Sequence, residues 1–144
     1  MELAFRRLRD GVPLPSARHP GDAGLDLYSA VDAAVAPGER VMIPTGVAVQ
    51  IPDGHAGLVL PRSGLASKQG LTLANAPGLI DAGYRGEVVC AVVNLDPADK
   101  VEIHVGDRIA QLVLVALLDV SPVWADELPS TVRGDGGFGS TGTA

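Results

Sequence analysis

Residues 78–87 decide the fold of this chain, and they read Gly78-Leu79-Ile80-Asp81-Ala82-Gly83-Tyr84-Arg85-Gly86-Glu87. Pro77 precedes the stretch, and the apolar run from Val88 to Val93 follows it. A glycine-rich turn therefore separates two short apolar runs. That order predicts a β-hairpin.

Three features distinguish this turn. Asp81 is a carboxylate between two apolar residues, and Tyr84 offers a flat ring three positions later. Gly83 and Gly86 lack a Cβ atom, so a ligand can approach the backbone closely. These features suit an aromatic ligand beside a hydrolytic base. On this stretch alone, an exposed hairpin with a capping Asp and a packed Tyr is the simpler interpretation.

The composition predicts one domain, 1–144, with an aliphatic core. Hydrophobic residues make up 47% of the chain but aromatic residues only 3%, and 18 Gly and 11 Pro favour many turns. Seventeen acidic residues against eleven basic ones give a formal charge of −6. This charge argues against nucleic acid or anionic membranes as partners. A local arginine cluster can still bind an anion.

Residues that often hold metals are few and scattered. Cys90 is the single cysteine, and its apolar neighbours predict a small, buried hydrophobic side chain. The three histidines lack ligand-like spacing. No stretch approaches the roughly 20 apolar residues of a membrane helix, and residues 1–7 do not resemble a signal peptide. We therefore expect no membrane partner and a cytoplasmic location.

Turn residues divide the rest of the chain into short segments. Ser63 to Gln69 is the best helix candidate, and Ser63 places a hydroxyl near free backbone N–H groups. Beyond Pro122 the pattern fades. These features predict an all-β sandwich or jelly roll with one short helix and a flexible C-terminal arm over 119–144. The other predicted strands are 3–8, 25–28, 31–35, 40–43, 46–51, 57–60, 71–73, 101–104 and 108–118.

Polar groups at three places have two interpretations each. Gln111 lies in an apolar run, where its amide must be hydrogen-bonded, either by a neighbouring strand or by a ligand. Arg62 and Ser63 suit phosphate oxygens, or an N-cap beside a surface Arg. Asp22 and Asp26 lie four apart on a strand-like segment and can hold waters on a magnesium ion. A turn Asp and a structural Asp are the alternative, which is favoured more for Asp22.

The C-terminal stretch is unusual for a disordered tail. Such tails hold few aromatic residues, whereas Phe138 lies here among five glycines, with Arg133 before it. Phe138 can stack on a base while Arg133 grips phosphates. The stretch is not a P-loop, because it lacks the Lys and no helix follows. We interpret it as a mobile lid, with an unstructured end as the alternative.

Taken together, these stretches resemble the five motifs of the trimeric dUTPases, in order, from Asp22 to Gly142. Five short motifs in order are far more specific than any one of them. The matching stretches are Asp22-Ala23-Gly24-Leu25-Asp26-Leu27, Pro61-Arg62-Ser63-Gly64-Leu65-Ala66, Gly78 to Glu87, Gly106-Asp107-Arg108-Ile109-Ala110-Gln111-Leu112, and Arg133-Gly134-Asp135-Gly136-Gly137-Phe138-Gly139-Ser140-Thr141-Gly142.

The resemblance implies a jelly-roll subunit and a homotrimer whose three sites each draw on all three subunits, with the C-terminal arm closing over them. It implies hydrolysis of dUTP to dUMP and pyrophosphate. That reaction would keep uracil out of DNA and supply dUMP for thymidylate synthesis. Mg²⁺ is the implied cofactor, carried by the substrate phosphates and water without direct protein ligands.

Each matching residue has an implied role. Asp81 would activate the attacking water as general base, Asp26 would order waters near the metal, and Arg133 would stabilise charge on the leaving pyrophosphate. Tyr84 would lie against the deoxyribose and exclude a 2′-hydroxyl. Phe138 would stack on the uracil. The remaining implied substrate-binding residues are Arg62, Ser63, Gly64 and Gln111 for the phosphates, Asn75, Leu79, Ile80 and Gly86 for the base, and Gly139, Ser140 and Thr141 on the arm.

Two other functions share this scaffold. A dCTP deaminase needs a further carboxylate at the base edge, from the strand after the predicted hairpin, and Val88 to Val93 carries none. A catalytically silent dUTP-binding regulator has no need for Asp81 near a polyphosphate. A structural jelly-roll module would leave Arg62-Ser63 and the glycine-rich arm without a purpose.

Overall fold

The computed structural model describes residues 1–137 and confirms an all-β fold with a short helix. Strands Gly78–Ile80 and Glu87–Asn94 flank the central stretch. The elements in chain order are β1 (Ala4–Arg7), β2 (Leu25–Tyr28), β3 (Ala33–Val35), β4 (Arg40–Gln50), β5 (His55–Leu60), α1 (Ser63–Gln69), β6 (Leu71–Leu73), β7 (Gly78–Ile80), β8 (Glu87–Asn94), β9 (Val101–Ile103) and β10 (Arg108–Ala116).

The strands form two four-stranded antiparallel sheets and one strand pair. Sheet 1 has the order β1-β4-β8-β6, sheet 2 has the order β2-β10-β5-β7, and β3 pairs with β9. Side chains alternate along each strand, so Val88, Cys90 and Val92 face the core while Val89 is exposed. Inward residues of both sheets, such as Ile43 of sheet 1 and Leu112 of sheet 2, form one aliphatic cluster. Burying one such side chain stabilises the fold by about 1.5–3 kcal/mol.

Cys90 is buried as predicted, with 1% of its surface exposed. Burial disfavours the thiolate and raises the thiol pKa to about 12. The side chain therefore acts as a small hydrophobic group and not as a nucleophile.

The predicted hairpin at residues 78–87 is wrong. β7 pairs with β5 in sheet 2, whereas β8 pairs with β4 and β6 in sheet 1. The glycine-rich turn is therefore a crossing between the two sheets. Each apolar run finds its hydrogen-bond partner far away in the chain, which local sequence does not reveal.

The two strands predicted at 40–43 and 46–51 are one strand, β4, because Pro44 lies at a β-bulge. Such irregularities tolerate proline, since no ladder hydrogen bond is required there. The register shifts between Pro44 and Ala48, and Gly46 adopts a φ of 71°. A Cβ atom on Gly46 would lie 2.5 Å from Val12 Cγ2, so only glycine fits.

The helix has the predicted bounds, and the last strand ends at Ala116 instead of Leu118. Residues 117–137 contain neither helix nor strand, and their apolar side chains, including Trp124 and Val132, are exposed. Within residues 1–137, no helix has the length and apolarity to cross a membrane.

Candidate active site

Most of the predicted phosphate-binding residues line one cavity. This cavity, called cavity 1, has a volume of about 540 Å³ and lies where β2, β5 and β10 meet the start of α1. It brings together residues from three of the sequence motifs. The predicted site residues that line it are Asp26, Arg62, Ser63, Gly64 and Gln111.

Asp26 holds two arginines at cavity 1. Its Oδ1 lies 3.3 Å from Arg62 Nε, and its Oδ2 accepts a hydrogen bond of 3.1 Å from Arg108 Nη1. Arg62 Nη1 in turn donates to the main-chain oxygen of Arg108 (3.1 Å). The Asp26 side chain is only 13% exposed, so solvent screens these contacts weakly. The triad fixes two guanidinium groups, whose planar N–H donors match phosphate oxygens.

The Gln111 amide makes one hydrogen bond within the protein. Its Nε2 donates to the main-chain oxygen of Pro61 (3.0 Å), as the interpretation without a ligand requires. A Cβ atom on Gly24 would lie 2.4 Å from Gln111 Oε1. The glycine of the first motif therefore makes room for the amide of the fourth.

The start of α1 differs in detail from the prediction. Arg62 is the N-cap residue and forms no side-chain cap hydrogen bond, while Ser63 is the first helical residue. The first helical hydrogen bond runs from Ala66 N to the main-chain oxygen of Arg62 (3.0 Å). The Ser63 hydroxyl is exposed at cavity 1, available to a ligand instead of to the cap.

Asp22 precedes β2 and closes a turn, so the prediction that it shares a strand with Asp26 is wrong. Asp22 Oδ2 accepts from His19 N (2.9 Å), and Asp22 N donates to the His19 oxygen (3.1 Å). Both carboxylates nevertheless line cavity 1, because the loop curls back over the sheet. Asp22 is the turn residue that the alternative interpretation favoured.

A second cavity collects the residues predicted to bind a base. Cavity 2 has a volume of about 280 Å³ and lies beside β6, β7 and β8. Asn75, Leu79 and Tyr84 line it, and Leu79 is 66% exposed. Ile80 turns its side chain into the core, so only its main chain can present polar groups. The walls are largely apolar, with Cys90 at the buried side.

Tyr84 lies directly over Gly86. Its hydroxyl donates to the main-chain oxygen of Glu87 (2.9 Å), and a Cβ atom on Gly86 would lie 2.4 Å from the Tyr84 hydroxyl oxygen. The expectation that Gly86 leaves open backbone for a ligand is therefore wrong on this side, because the phenol covers it. Within residues 1–137, a Cβ atom on Gly83 would meet no group within 4 Å, so the space beside this glycine is open.

The two cavities lie on opposite faces of β5. Leu60 lines cavity 1 and the adjacent Val59 lines cavity 2, and neighbouring strand residues point to opposite faces. Asp81 is exposed at the end of β7, and among residues 1–137 neither Asp81 nor Arg133 lines either cavity. Arg133 Nε donates to the main-chain oxygen of Gly136 (2.9 Å). The predicted residues Phe138, Gly139, Ser140 and Thr141 lie outside the described residues.

The structure adds polar residues that the sequence interpretation did not select. Arg108 begins the apolar run that contains Gln111, three residues before it. Its place in that run could have identified it as a second polar residue of the site. Arg18 and His19 also line cavity 1, but they come from an irregular proline-containing loop without periodicity. Glu87 lines cavity 2 and was the final residue of the quoted stretch.

Comparison with known proteins identifies the family. A sequence model of the dUTPase family matches residues 10–142. The chain is 57% identical over 145 residues to the deoxyuridine 5'-triphosphate nucleotidohydrolase of Mycobacterium tuberculosis, covering 97% of this chain and 94% of that protein. It is 52% identical to the Thermobifida fusca protein of the same name, over 142 residues that cover 99% of this chain and 79% of that protein.

Solved structures agree with the sequence relatives. The dUTPase of Staphylococcus bacteriophage 80alpha, in complex with dUPNHPP, superposes with a TM-score of 0.90 at 32% identity, covering 99% of each chain. A mutant dUTPase of the S. aureus phage phi11, described with a structural Mg(II) ion, gives a TM-score of 0.81 at 30% identity, covering 88% of this chain and 98% of that one. The motifs in order, the fold and these similarities agree. The chain belongs to the dUTPase family.

Proposed function

We propose that this protein is a dUTP diphosphatase, which hydrolyses dUTP to dUMP and pyrophosphate. The observation that carries the proposal is the pair of guanidinium groups, Arg62 and Arg108, which Asp26 fixes at cavity 1. Two guanidinium groups in fixed geometry can bind several phosphate oxygens at once, so they suit a polyphosphate better than a ligand with one negative charge. The family match supports uracil as the base. The reaction would remove dUTP as a precursor of DNA and supply dUMP for thymidylate synthesis.

The two cavities divide the substrate between them. Cavity 1 supplies charged and polar side chains for the three phosphates. Cavity 2 supplies an apolar slot, with the main chain near Leu79 and the Asn75 amide for the uracil edge. Fixed main-chain donors and acceptors cannot exchange roles, so cytosine would be mismatched. Tyr84, 45% exposed, is positioned to pack against a deoxyribose.

A complete site requires more than one copy of the chain. Cavity 1 and cavity 2 face opposite sides of β5, so one nucleotide cannot use both within one subunit. We propose a homotrimer in which one subunit supplies cavity 1, a second supplies cavity 2, and a third supplies the C-terminal arm. The exposed apolar side chains of residues 117–137 support this assembly, because such surface is normally covered by a partner.

Asp81 would act as the general base. Its carboxylate would accept a proton from a water as the water oxygen bonds to the α-phosphorus. The bond between that phosphorus and the bridging oxygen to the β-phosphate would break, and pyrophosphate would leave with the electron pair. Arg133 would stabilise the charge on that leaving group. The exposed position of Asp81 at the end of β7 lets it meet a phosphate held by another subunit.

The residues at cavity 1 fit a Mg²⁺ ion that arrives with the phosphates. In the part of the chain that the structure describes, no three His, Cys, Asp or Glu side chains come together to hold a metal. Asp26 uses one direction of each oxygen for an arginine, which leaves lone pairs for ordered water. When bound, the ion would neutralise phosphate charge. Asp26 would contribute by holding both arginines and ordering that water.

The environment of Glu87 argues against deamination. Its Oε1 accepts from Gly46 N (2.8 Å) and lies 3.4 Å from Arg9 Nε. Glu87 lines cavity 2, but its carboxylate oxygen Oε1 is thus engaged by the β-bulge and by Arg9 and is not free to exchange protons with a base amino group. We accordingly expect dCTP to remain unchanged.

The test measures pyrophosphate release from dUTP, UTP, dTTP and dCTP with Mg²⁺, for the wild type and Asp81→Asn. We expect release from dUTP alone, and a loss of about 10²–10⁴-fold in the variant, which is the usual contribution of a general base. Turnover of dCTP with dUTP untouched would overturn the proposal. Binding of dUTP without release of pyrophosphate would instead identify a silent dUTP-binding protein.

A further inference from the structure

Glu87 is a residue to which neither the motif comparison nor the proposed mechanism gives a task. Its side chain is 23% exposed, and it contacts groups from two distant parts of the chain. One is Gly46 in the bulge of β4, and the other is Arg9 after β1. Its main-chain oxygen accepts the Tyr84 hydroxyl. Glu87 thus joins the ring at cavity 2 to the interior of sheet 1.

We infer that Glu87 is a positioning residue for Tyr84 and thereby sets how strictly the enzyme excludes ribonucleotides. The inference rests on the proposed function, in which Tyr84 packs against the deoxyribose. The hydroxyl of Tyr84 is fixed by the Glu87 oxygen, and the ring rests on the Cα atom of Gly86. The height of the ring above cavity 2 therefore depends on where the main chain of residues 86 and 87 lies.

Residues of sheet 1 fix the main chain at residues 86–88 through hydrogen bonds. The Glu87 carboxylate accepts the Gly46 N–H at 2.8 Å, and Thr45 Oγ1 donates to the Val88 oxygen at 2.6 Å. Gly46 is buried, and its neighbours in the bulge, Thr45 and Val47, are 0% and 3% exposed. Because the bulge is packed in the interior of the fold, it gives the Glu87 carboxylate a buried anchor. Loss of the carboxylate would release residue 87 and leave a buried N–H without its acceptor.

The experiment compares kcat/KM for dUTP with kcat/KM for UTP in Glu87→Ala and Glu87→Gln. The amide of Gln keeps an oxygen that can accept the Gly46 N–H, so we expect its dUTP:UTP ratio to stay near that of the wild type. Ala removes the acceptor, and we expect the ratio to fall about tenfold, because a shift of ~1 Å in a positioning group can cost up to 10²-fold. Glu102→Ala, which removes an exposed carboxylate elsewhere, serves as the matched control.

An unchanged ratio in folded Glu87→Ala would overturn the inference. If Glu87→Ala does not fold, Tyr84→Phe decides, because it removes only the hydroxyl bond to the Glu87 oxygen. A lower ratio in Tyr84→Phe supports the inference, and an unchanged ratio overturns it. Failure of the wild type to hydrolyse dUTP would instead contradict the proposed function, so the two failures are distinguishable.

Discussion

Cavity 1 and cavity 2 are built in different ways. Cavity 1 depends on long charged side chains, and its geometry comes from one carboxylate, Asp26, between two arginines. Cavity 2 depends on the main chain of a sheet crossing and on the Tyr84 ring over Gly86. The ion pairs of cavity 1 orient flexible arginine side chains that bind anions strongly. The main chain of cavity 2 instead fixes the shape of the cavity. We expect the first to control turnover and the second to control which nucleotide is accepted.

The largest expected effect comes from breaking the charge network. Asp26→Asn removes the charge that holds Arg62 and Arg108, and it leaves two cations facing each other. Breaking a partly buried charged pair typically costs ~2–5 kcal/mol, so we expect kcat/KM for dUTP to fall on the order of 100-fold or more. Steady-state kinetics check this. Asp22→Asn is the control, since Asp22 also lines cavity 1 but, within residues 1–137, its carboxylate bonds a turn N–H and no arginine; an equal loss there would contradict the role given to the triad.

We expect smaller effects on KM when a glycine at each cavity is replaced by alanine, which adds one methyl group. Gly24→Ala would place Cβ 2.4 Å from Gln111 Oε1, the flexible end of a side chain. We expect Gln111 to turn away, so that KM rises about tenfold while the melting temperature barely changes. Gly78→Ala meets Asn75 Nδ2 and Val59 Cβ at 3.3 Å, and we expect a rise of only about threefold. A larger KM change in Gly78→Ala than in Gly24→Ala would reverse the comparison.

A stability measurement, which leaves activity at neutral pH untouched, tests how dry the buried side of cavity 2 is. Burial raises the pKa of Cys90 from its ordinary value of 9.0 to about 12. Above pH 9 the thiol ionises in the unfolded chain but not in the folded one, so the unfolded state binds fewer protons. Stability should therefore fall as pH rises from about 9 to 12, by roughly 1.4 kcal/mol per pH unit from this group.

Urea unfolding of the wild type and Cys90→Ala at pH 8 and pH 10 isolates that contribution. Alanine removes the titration, so the stability difference between the two proteins should shrink at the higher pH. A difference that does not depend on pH would mean that solvent reaches the thiol.

The residues of cavity 1 were more predictable from sequence than the arrangement of the two cavities. Asp26, Arg62 and Gln111 interrupt apolar or turn segments, which makes polar residues easy to recognise. That β7 and β8 join different sheets was not predictable, because strand pairing is non-local. Pro44 misled the strand prediction for the same reason, since its tolerance depends on a bulge formed with β8.

The contacts of Asp26 with its two arginines could not be predicted from the sequence either. Their motifs were recognised, but the contacts between them join residues 82 positions apart for Arg108, and no local pattern encodes such a contact. Glu87 was visible in the quoted stretch. Its contact with Gly46 depends on a bulge that only the folded chain reveals.

The exposed segment after β10 has a spectroscopic consequence. Trp124 is the single tryptophan of the chain and lies on this segment with its indole exposed. All indole emission from the protein therefore originates at one position outside the sandwich. Unfolding of the core would leave that emission almost unaltered, whereas coverage of the segment by a neighbouring subunit would shift it to shorter wavelength. The protein thus carries its own optical label for assembly, separate from any signal of folding.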